Sequence, residues 1–248
     1  MLYIMKVAFC LYGLSGGFSE RIESRANYSH TLDVMKKSYE SYKKNIFEAN
    51  KHVNFDVYFH TRKHKNIETI INMYNPKAYI VEDKQVLNEK YKPWNIAVLS
   101  RHDSVNKVLG LVKEEYDYIF LCRFDLMFLK PLKFSKLKLN ENQIYFPEQS
   151  HIIYNGNILD TPKYYVNCPK NISWKKNDKT NYLNDWWMIF RVNMKETIIN
   201  MESSHKDHLE TNIHQYIANY LSKHGEIVLS DLRFYDTPLT RYILYGKV

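Results

Sequence analysis

Glycine and proline are scarce, seven each in 248 residues, and long disordered linkers are therefore not expected. Only three cysteines occur, Cys10, Cys122 and Cys168, with no paired spacing. A disulfide framework or zinc site is thus disfavoured, and free buried thiols in a reducing compartment are the simpler reading. Long apolar runs are missing too. The opening stretch MLYIMKVAFCLYG is broken by Lys6, is too short for a membrane span and lacks a secretory cleavage pattern. The expectation is a soluble, cytoplasmic protein with no transmembrane segment. No internal repeat is visible. Neither a recognition helix nor an RNA-binding aromatic signature occurs, which argues against nucleic acid as a partner.

What is present is ordinary for a chain that buries a full core: 45% hydrophobic and 25% charged residues, in a length that fits one large domain. Aromatic residues reach 15%, mostly tyrosine. The net charge of +8 favours an anionic partner such as a phosphorylated small molecule, nucleic acid or a membrane surface, and bears on association rather than fold. Abundant Asn, Lys, Ile and Tyr match the output of an AT-rich genome, an equally good source of part of the lysine excess.

Along the chain, Met5 to Tyr12 predicts a buried strand ending at Gly13. The pattern from about Asn27 to Asn50 puts Leu32, Met35, Tyr39, Tyr42 and Ile46 on one helical face. Phe55 to His60 predicts a second strand ended by Thr61-Arg62, and Ile67 to Tyr74 a short helix stopped by Asn75-Pro76. Lys77 to Asp83 predicts a third strand, Trp94 to Glu115 a helix, and Asp117 to Cys122 a fourth strand. Strand and helix in alternation predict an α/β fold, a parallel sheet with helices on both faces, whose ligands bind beyond the carboxyl ends of the strands. After Asp125 the pattern shifts. LMFLKPL and NQIYFPE predict short strands, His151 to Asn184 shows no clear period, and DWWMIFR resumes an apolar run. Helices over about Asn193 to Glu202 and Asp207 to Lys223 and a strand EIVLS complete a mixed-sheet second half.

The stretch YDYIFLCRFDLMF sets Arg123 and Asp125 at the end of a strand that should be buried. A carboxylate there can hold Mg²⁺ or Mn²⁺ against substrate phosphates, and Arg123 can add a bidentate phosphate contact. A turn-capping aspartate paired with the arginine is the structural alternative.

KVAFCLYG, FDVYFHTR, NPKAYIVEDKQ, YDYIFLCRFDLMF and LNDWWMIF, in this order, resemble glycosyltransferases of the GT-A nucleotide-sugar fold, of the kind by which viruses and bacteria build surface glycans. The resemblance covers most of Met5 to Phe190. It implies a Rossmann-like fold in a single domain, residues 1–248, with a nucleotide-sugar-binding half over about 1–130 and an acceptor-side half over about 131–248. The usual metal signature of that fold is Asp-x-Asp; Arg-x-Asp stands here, so both a metal site on Asp125 and charge stabilisation by Arg123 remain open. The implied reaction moves a sugar from a nucleotide diphosphate sugar to a glycan acceptor hydroxyl, in surface or capsid glycan synthesis, in the cytoplasm of the producing cell or infected host. Donor contacts fall to Tyr12, Gly13, Arg21 (with Arg25), Thr61, Arg62, Asn95, Arg101 and Arg123, with Trp94 as core or stacking residue. Asp185 would be the general base of an inverting reaction, or orient the acceptor in a retaining one, and Glu148 is a second acidic option. Trp186 and Trp187 offer an apolar platform to a sugar, or pack in the core.

In His205-x-x-His208-x-Glu210-x-x-x-His214, the apolar face of Met201, Leu209, Ile213, Ile217 and Leu221 places the histidines at the surface or rim. The His-Glu-x-x-His of a zinc protease is absent. A late histidine, His214 or His208, can complete a metal shell in the fold resembled. A non-catalytic carbohydrate- or nucleic-acid-binding protein and a nucleotidyltransferase are the other functions kept in view.

Overall fold

The computed structural model describes residues 4–13, 32–83, 93–148, 152–154, 157–159, 186–211 and 213–233. In chain order these form β1 (Met5–Tyr12), α1 (Leu32–Tyr42), β2 (Val53–Arg62), α2 (Ile67–Tyr74), β3 (Ala78–Glu82), α3 (Pro93–Leu111), β4 (Tyr118–Arg123), β5 (Gln143–Glu148), β6 (Ile152–Tyr154), β7 (Asn157–Leu159), β8 (Trp187–Arg191), α4 (Lys195–Ser204), α5 (Ile213–His224) and β9 (Glu226–Arg233). The main sheet has seven strands in the order β3-β2-β1-β4-β8-β5-β9, and β6 and β7 form a separate antiparallel pair. Strands β3, β2, β1 and β4 run parallel; β8 is antiparallel to both β4 and β5, and β9 parallel to β5. The expected α/β class, with a mostly parallel sheet and a mixed second half, is what the structure has.

Period-two alternation explains how β1 is covered on both faces. Val7, Phe9 and Leu11 join one core with Met35 and Tyr42 of α1 and Ile70 and Tyr74 of α2. Ala8, Cys10 and Tyr12 join the other, with Val105 and Leu109 of α3, Ile198 and Met201 of α4, and Ile217 and Leu221 of α5. Phe9, Phe59, Phe120, Phe124, Phe128 and Trp187 are wholly enclosed, and each such burial stabilises the fold by roughly 1.5–3 kcal/mol. Cys10 and Cys122 are free and buried, and burial pushes both thiols up. No helix among the described residues is long and apolar enough to cross a membrane.

Several boundaries differ from expectation. Strand β2 runs through Thr61 and Arg62, because both residues still pair with β3. Helix α1 gives way at Lys43 to a wider π turn and then a 3-10 turn ending at Asn50. Asn75 ends α2 with φ 43°, the left-handed cap that asparagine tolerates.

LMFLKPL is not a strand, because side chains of the first helical segment take the place of a sheet neighbour. Asn45 donates to the Phe128 carbonyl at 2.6 Å, Ser41 Oγ accepts from Phe128 N at 3.0 Å, and Asn50 donates to the Leu132 carbonyl at 2.7 Å. The backbone is satisfied, while Leu126, Phe128 and Leu132 enter the core and Leu129 stays half exposed.

Candidate functional site

From β1 the chain moves to β2 on one side and, through β3 and α3, returns to β4 on the other. The carboxyl ends of β1 and β4 therefore flank the switch point of the sheet, where crevices form in open α/β folds. Tyr12 and Arg123 are paired across this junction. Gly13 follows at φ 101°, a backbone that side-chain-bearing residues rarely adopt.

The Arg123–Asp125 turn is tightly built. Arg123 Nε donates to Asp125 Oδ1 at 2.7 Å and its Nη2 to Oδ2 at 2.8 Å, a two-pronged pair. The aspartate side chain is 3% exposed and the arginine 30%. Tyr42, from α1, clamps the same turn: its hydroxyl donates to the Arg123 carbonyl at 2.6 Å and accepts from Leu126 N at 3.2 Å. Burial, with the neighbouring Cys122, Tyr74 and Asp125, holds the Tyr42 hydroxyl well above its ordinary pKa and so in the donating form. Among the described residues, the donor set offered to a metal here is one buried carboxylate whose two oxygens already face a guanidinium. It does not fit a divalent ion unless Arg123 is displaced.

Two further networks reach the carboxyl ends from α3. In the first, Ser104 Oγ accepts from Gly13 N at 3.0 Å and lies 2.7 Å from His60 Nδ1, and His60 Nε2 lies 3.3 Å from Glu82. Burial pushes the pKa of His60 down, so the ring is neutral; its Nε2–H donates to the glutamate and its Nδ1 accepts from the serine. The order Ser–His–Glu matches that of a hydrolase triad, but Ser104 is 3% exposed and its oxygen is engaged by Gly13. Ser104 holds the end of β1 rather than attacking a substrate. Arg62 joins this network, 2.5 Å from Glu82 and 2.9 Å from Asp103, and Lys107 lies 2.6 and 3.0 Å from the same two carboxylates. His60, Glu82 and Asp103 are close enough to share a metal ion, yet two cations already balance the two carboxylates.

In the second network Arg101 extends over the Tyr12 ring, 5.6 Å from its centroid, a cation–π contact at the switch point. Arg101 is ion-paired with Glu202 of α4, which also bonds His102 Nδ1. His102 Nε2 lies 2.7 Å from His205 Nδ1, and His205 Nε2 is 3.2 Å from the Thr211 carbonyl. Glu202 and His102 have no exposed surface and His205 has 1%. Burial raises the pKa of Glu202, but Arg101 and His102 outweigh it and keep the carboxyl ionised.

The structure thus brings Tyr12, Gly13, Arg101 and Arg123 to one end of β1 and β4, with Asp125 beneath Arg123. Arg62 lies in the adjacent balanced network, Thr61 is wholly buried inside β2, and Asn95 is half-buried in the first turn of α3. His214 opens α5, in the layer opposite the one that contains Tyr42. Trp187 is core: its ring packs with Phe120, Phe128 and Tyr145 and has no exposed surface to offer a sugar. Trp186 is half-buried and its carbonyl accepts from Arg123 N at 3.1 Å. Arg21, Arg25 and Asp185 lie outside the described residues. His208 is exposed, as expected of a rim histidine, whereas His205 is buried, because it finds partners in His102 and Thr211. Tyr42, His60, Glu82, Ser104, Asp103, Lys107, His102 and Glu202 were not singled out in the sequence for the roles they have; His60 carried a signal only as the end of a strand.

No protein-family model matches the chain, and no curated protein matches it. Two solved structures follow a similar path. One is a glycosyltransferase involved in the glycosylation of the major capsid of PBCV-1, at 10% identity over 92% of this chain and 81% of that one, with a TM-score of 0.43. The other is 4-diphosphocytidyl-2C-methyl-D-erythritol synthase from Anaerococcus prevotii, at 12% identity over 98% of this chain and 94% of that one, with a TM-score of 0.51. At these identities the likeness speaks for the fold alone, and only the second is near enough to carry that.

Proposed function

We propose that the protein is a glycosyltransferase that moves a sugar from a nucleotide diphosphate sugar to a hydroxyl of a glycan acceptor, in surface or capsid glycan synthesis. The observation that carries the reading is the placement of Arg101 over the Tyr12 ring, with Arg123 at the neighbouring strand position, at the switch point of the sheet. In this reading the diphosphate lies against these cations and approaches the Gly13 backbone, where no described residue lies within 4 Å of the position a Cβ would take. Developing charge on the leaving diphosphate is stabilised by Arg123, the group that already covers Asp125. A divalent ion, Mn²⁺ or Mg²⁺, would supply the same neutralisation, held by Asp125 only after Arg123 had moved away. Asp185 acts as general base on the acceptor, Trp186 faces the sugar, and Arg21 and Asn95 contribute to donor binding. Function is carried by one domain spanning both halves and by a protein of the cytoplasm.

A nucleotidyltransferase is the second reading, favoured by the similar path of the diphosphocytidyl-methylerythritol synthase. It differs in releasing pyrophosphate from a nucleoside triphosphate. A thermal-shift screen of nucleoside diphosphates, nucleotide sugars and nucleoside triphosphates, with and without Mn²⁺, separates the two. The first reading expects a diphosphate or its sugar conjugate to raise the melting temperature, followed by sugar transfer or donor hydrolysis. Stabilisation by triphosphates alone, with pyrophosphate release, would replace it by the second.

A further inference from the structure

The chain of hydrogen bonds behind Arg101 fixes a proton count. It runs from the Glu202 carboxylate through His102 and His205 to the Thr211 carbonyl, with three contacts in sequence. Both ends are acceptors, and each contact needs one hydrogen. Two neutral imidazoles supply only two. The third must come from an additional proton, on one of the rings or on Glu202. Arg101 bonds the same oxygen of Glu202 that His102 does, which favours the ionised carboxylate and leaves the proton on a ring. Burial and the charge of His102 push the pKa of His205 down to about 4, so His205 is the neutral ring.

We propose that Glu202, His102 and His205 hold one proton beyond their two neutral rings and ionised carboxylate, and that this relay positions Arg101 over Tyr12 as an anchor for the anionic part of a nucleotide. The anchoring rests on the nucleotide reading above; the proton count does not. Glu202 is a positioning residue: it acts through Arg101. Its single charge is shared between a guanidinium and an imidazolium, so the cluster keeps one net positive charge under Tyr12.

The surroundings are consistent with this. The Tyr216 ring of α5 lies 4.3 Å from that of His205, and its hydroxyl is 2.7 Å from Ser204 Oγ. The Tyr216 hydroxyl is kept neutral chiefly by burial, with Tyr220, Glu202 and Asp207 adding to the effect. His208 stacks on the outer side of Tyr216, and Asp207 is exposed. Apart from Arg101 and Glu202, the titratable groups facing the relay among the described residues are Tyr216, Tyr220, the exposed His208 and the exposed Asp207.

The test is nitrogen NMR of the full chain with labelled histidine, near neutral pH and without ligand. The expected result is one buried histidine, assigned as His102, with both ring nitrogens protonated, and His205 with one. In Glu202→Gln, His102 becomes singly protonated, and UDP binding weakens by about tenfold, the worth of one charge-assisted contact. Two singly protonated rings in the unaltered protein overturn the proton count. A doubly protonated His102 with equal UDP affinity in Glu202→Gln overturns the positioning role. An intact doubly protonated His102 in a protein that binds no UDP or other nucleoside diphosphate overturns the nucleotide reading and leaves the proton count standing.

Discussion

Two charged networks sit side by side at the carboxyl edge of the parallel strands, and they are built differently. At the ends of β2 and β3, Arg62 and Lys107 face Glu82 and Asp103, two cations against two carboxylates, with a neutral His60 completing the set. At the ends of β1 and β4, Arg101 lies over Tyr12 and shares its partner Glu202 with an imidazole, while Arg123, at the strand position beside Tyr12, is paired with Asp125. The first network closes on itself. It holds α3 to the strands and, through Ser104, holds Gly13. The second also sets two cations against two carboxylates among the described residues, and exceeds that balance by one positive charge only with the imidazolium proposed for His102. Charged residues at strand ends are therefore not equivalent evidence of a ligand; the balance within each cluster decides.

Asp125→Ala sharpens this comparison most. Removing the buried carboxylate leaves Arg123 unpaired and should cost roughly 2–4 kcal/mol, less than a wholly buried pair because the guanidinium is partly exposed. A lower denaturation midpoint in urea measures it. The same variant should keep its nucleotide affinity, whereas a metal role for Asp125 requires Mn²⁺-dependent affinity to fall. Tyr42→Phe comes next. It removes the hydroxyl that bridges the Arg123 carbonyl and Leu126 N, at a cost of about 1–3 kcal/mol in the same assay. An unchanged midpoint would show that the turn holds without its clamp.

Gly13→Ala should cost about 1 kcal/mol from backbone strain, since no described residue lies within 4 Å of the added carbon. A larger loss of nucleotide affinity than of stability in that variant would place ligand against the Gly13 backbone.

The smallest effect belongs to the balanced network. Chiefly the hydrogen bond from Lys107, and also that with His60, lower the Glu82 pKa from 4.5 to about 2 despite its burial. A depressed folded-state pKa contributes stability above the unfolded value, and that contribution is lost as pH falls from 4.5 towards about 2. Glu82→Gln should flatten this acid arm by under about 1 kcal/mol after solvent screening. An acid arm as steep as in the unaltered protein would assign the loss to other carboxylates.

Much of the fold was legible because it rests on local periodicity. Met5–Tyr12 and Ile67–Tyr74 fall where an apolar run before Gly13 and a stop at Asn75-Pro76 put them, and Asn75 ends its helix by its own backbone preference. LMFLKPL was misread because an apolar run after a strand looks like another strand, but its neighbours are Ser41, Asn45 and Asn50, far away in sequence. The site was legible only in part for the same reason. Arg123 and Asp125 announce themselves as charges inside an apolar run. The relay joins residues about a hundred positions apart, and nothing near His102 or Glu202 in the sequence reveals the partner. Trp187 shows the converse limit: an aromatic beside a polar segment reads equally well as platform or core, and packing chose core.

The most direct measurement is backbone amide NMR of the full chain titrated with UDP, GDP and CDP. The account predicts that one of them shifts the amides of Gly13, Arg101 and Arg123 together, saturably, while those of Arg62 and Lys107 move little. Saturable shifts centred on Arg62 and Lys107, or none at the β1–β4 junction with any of the three, would contradict it.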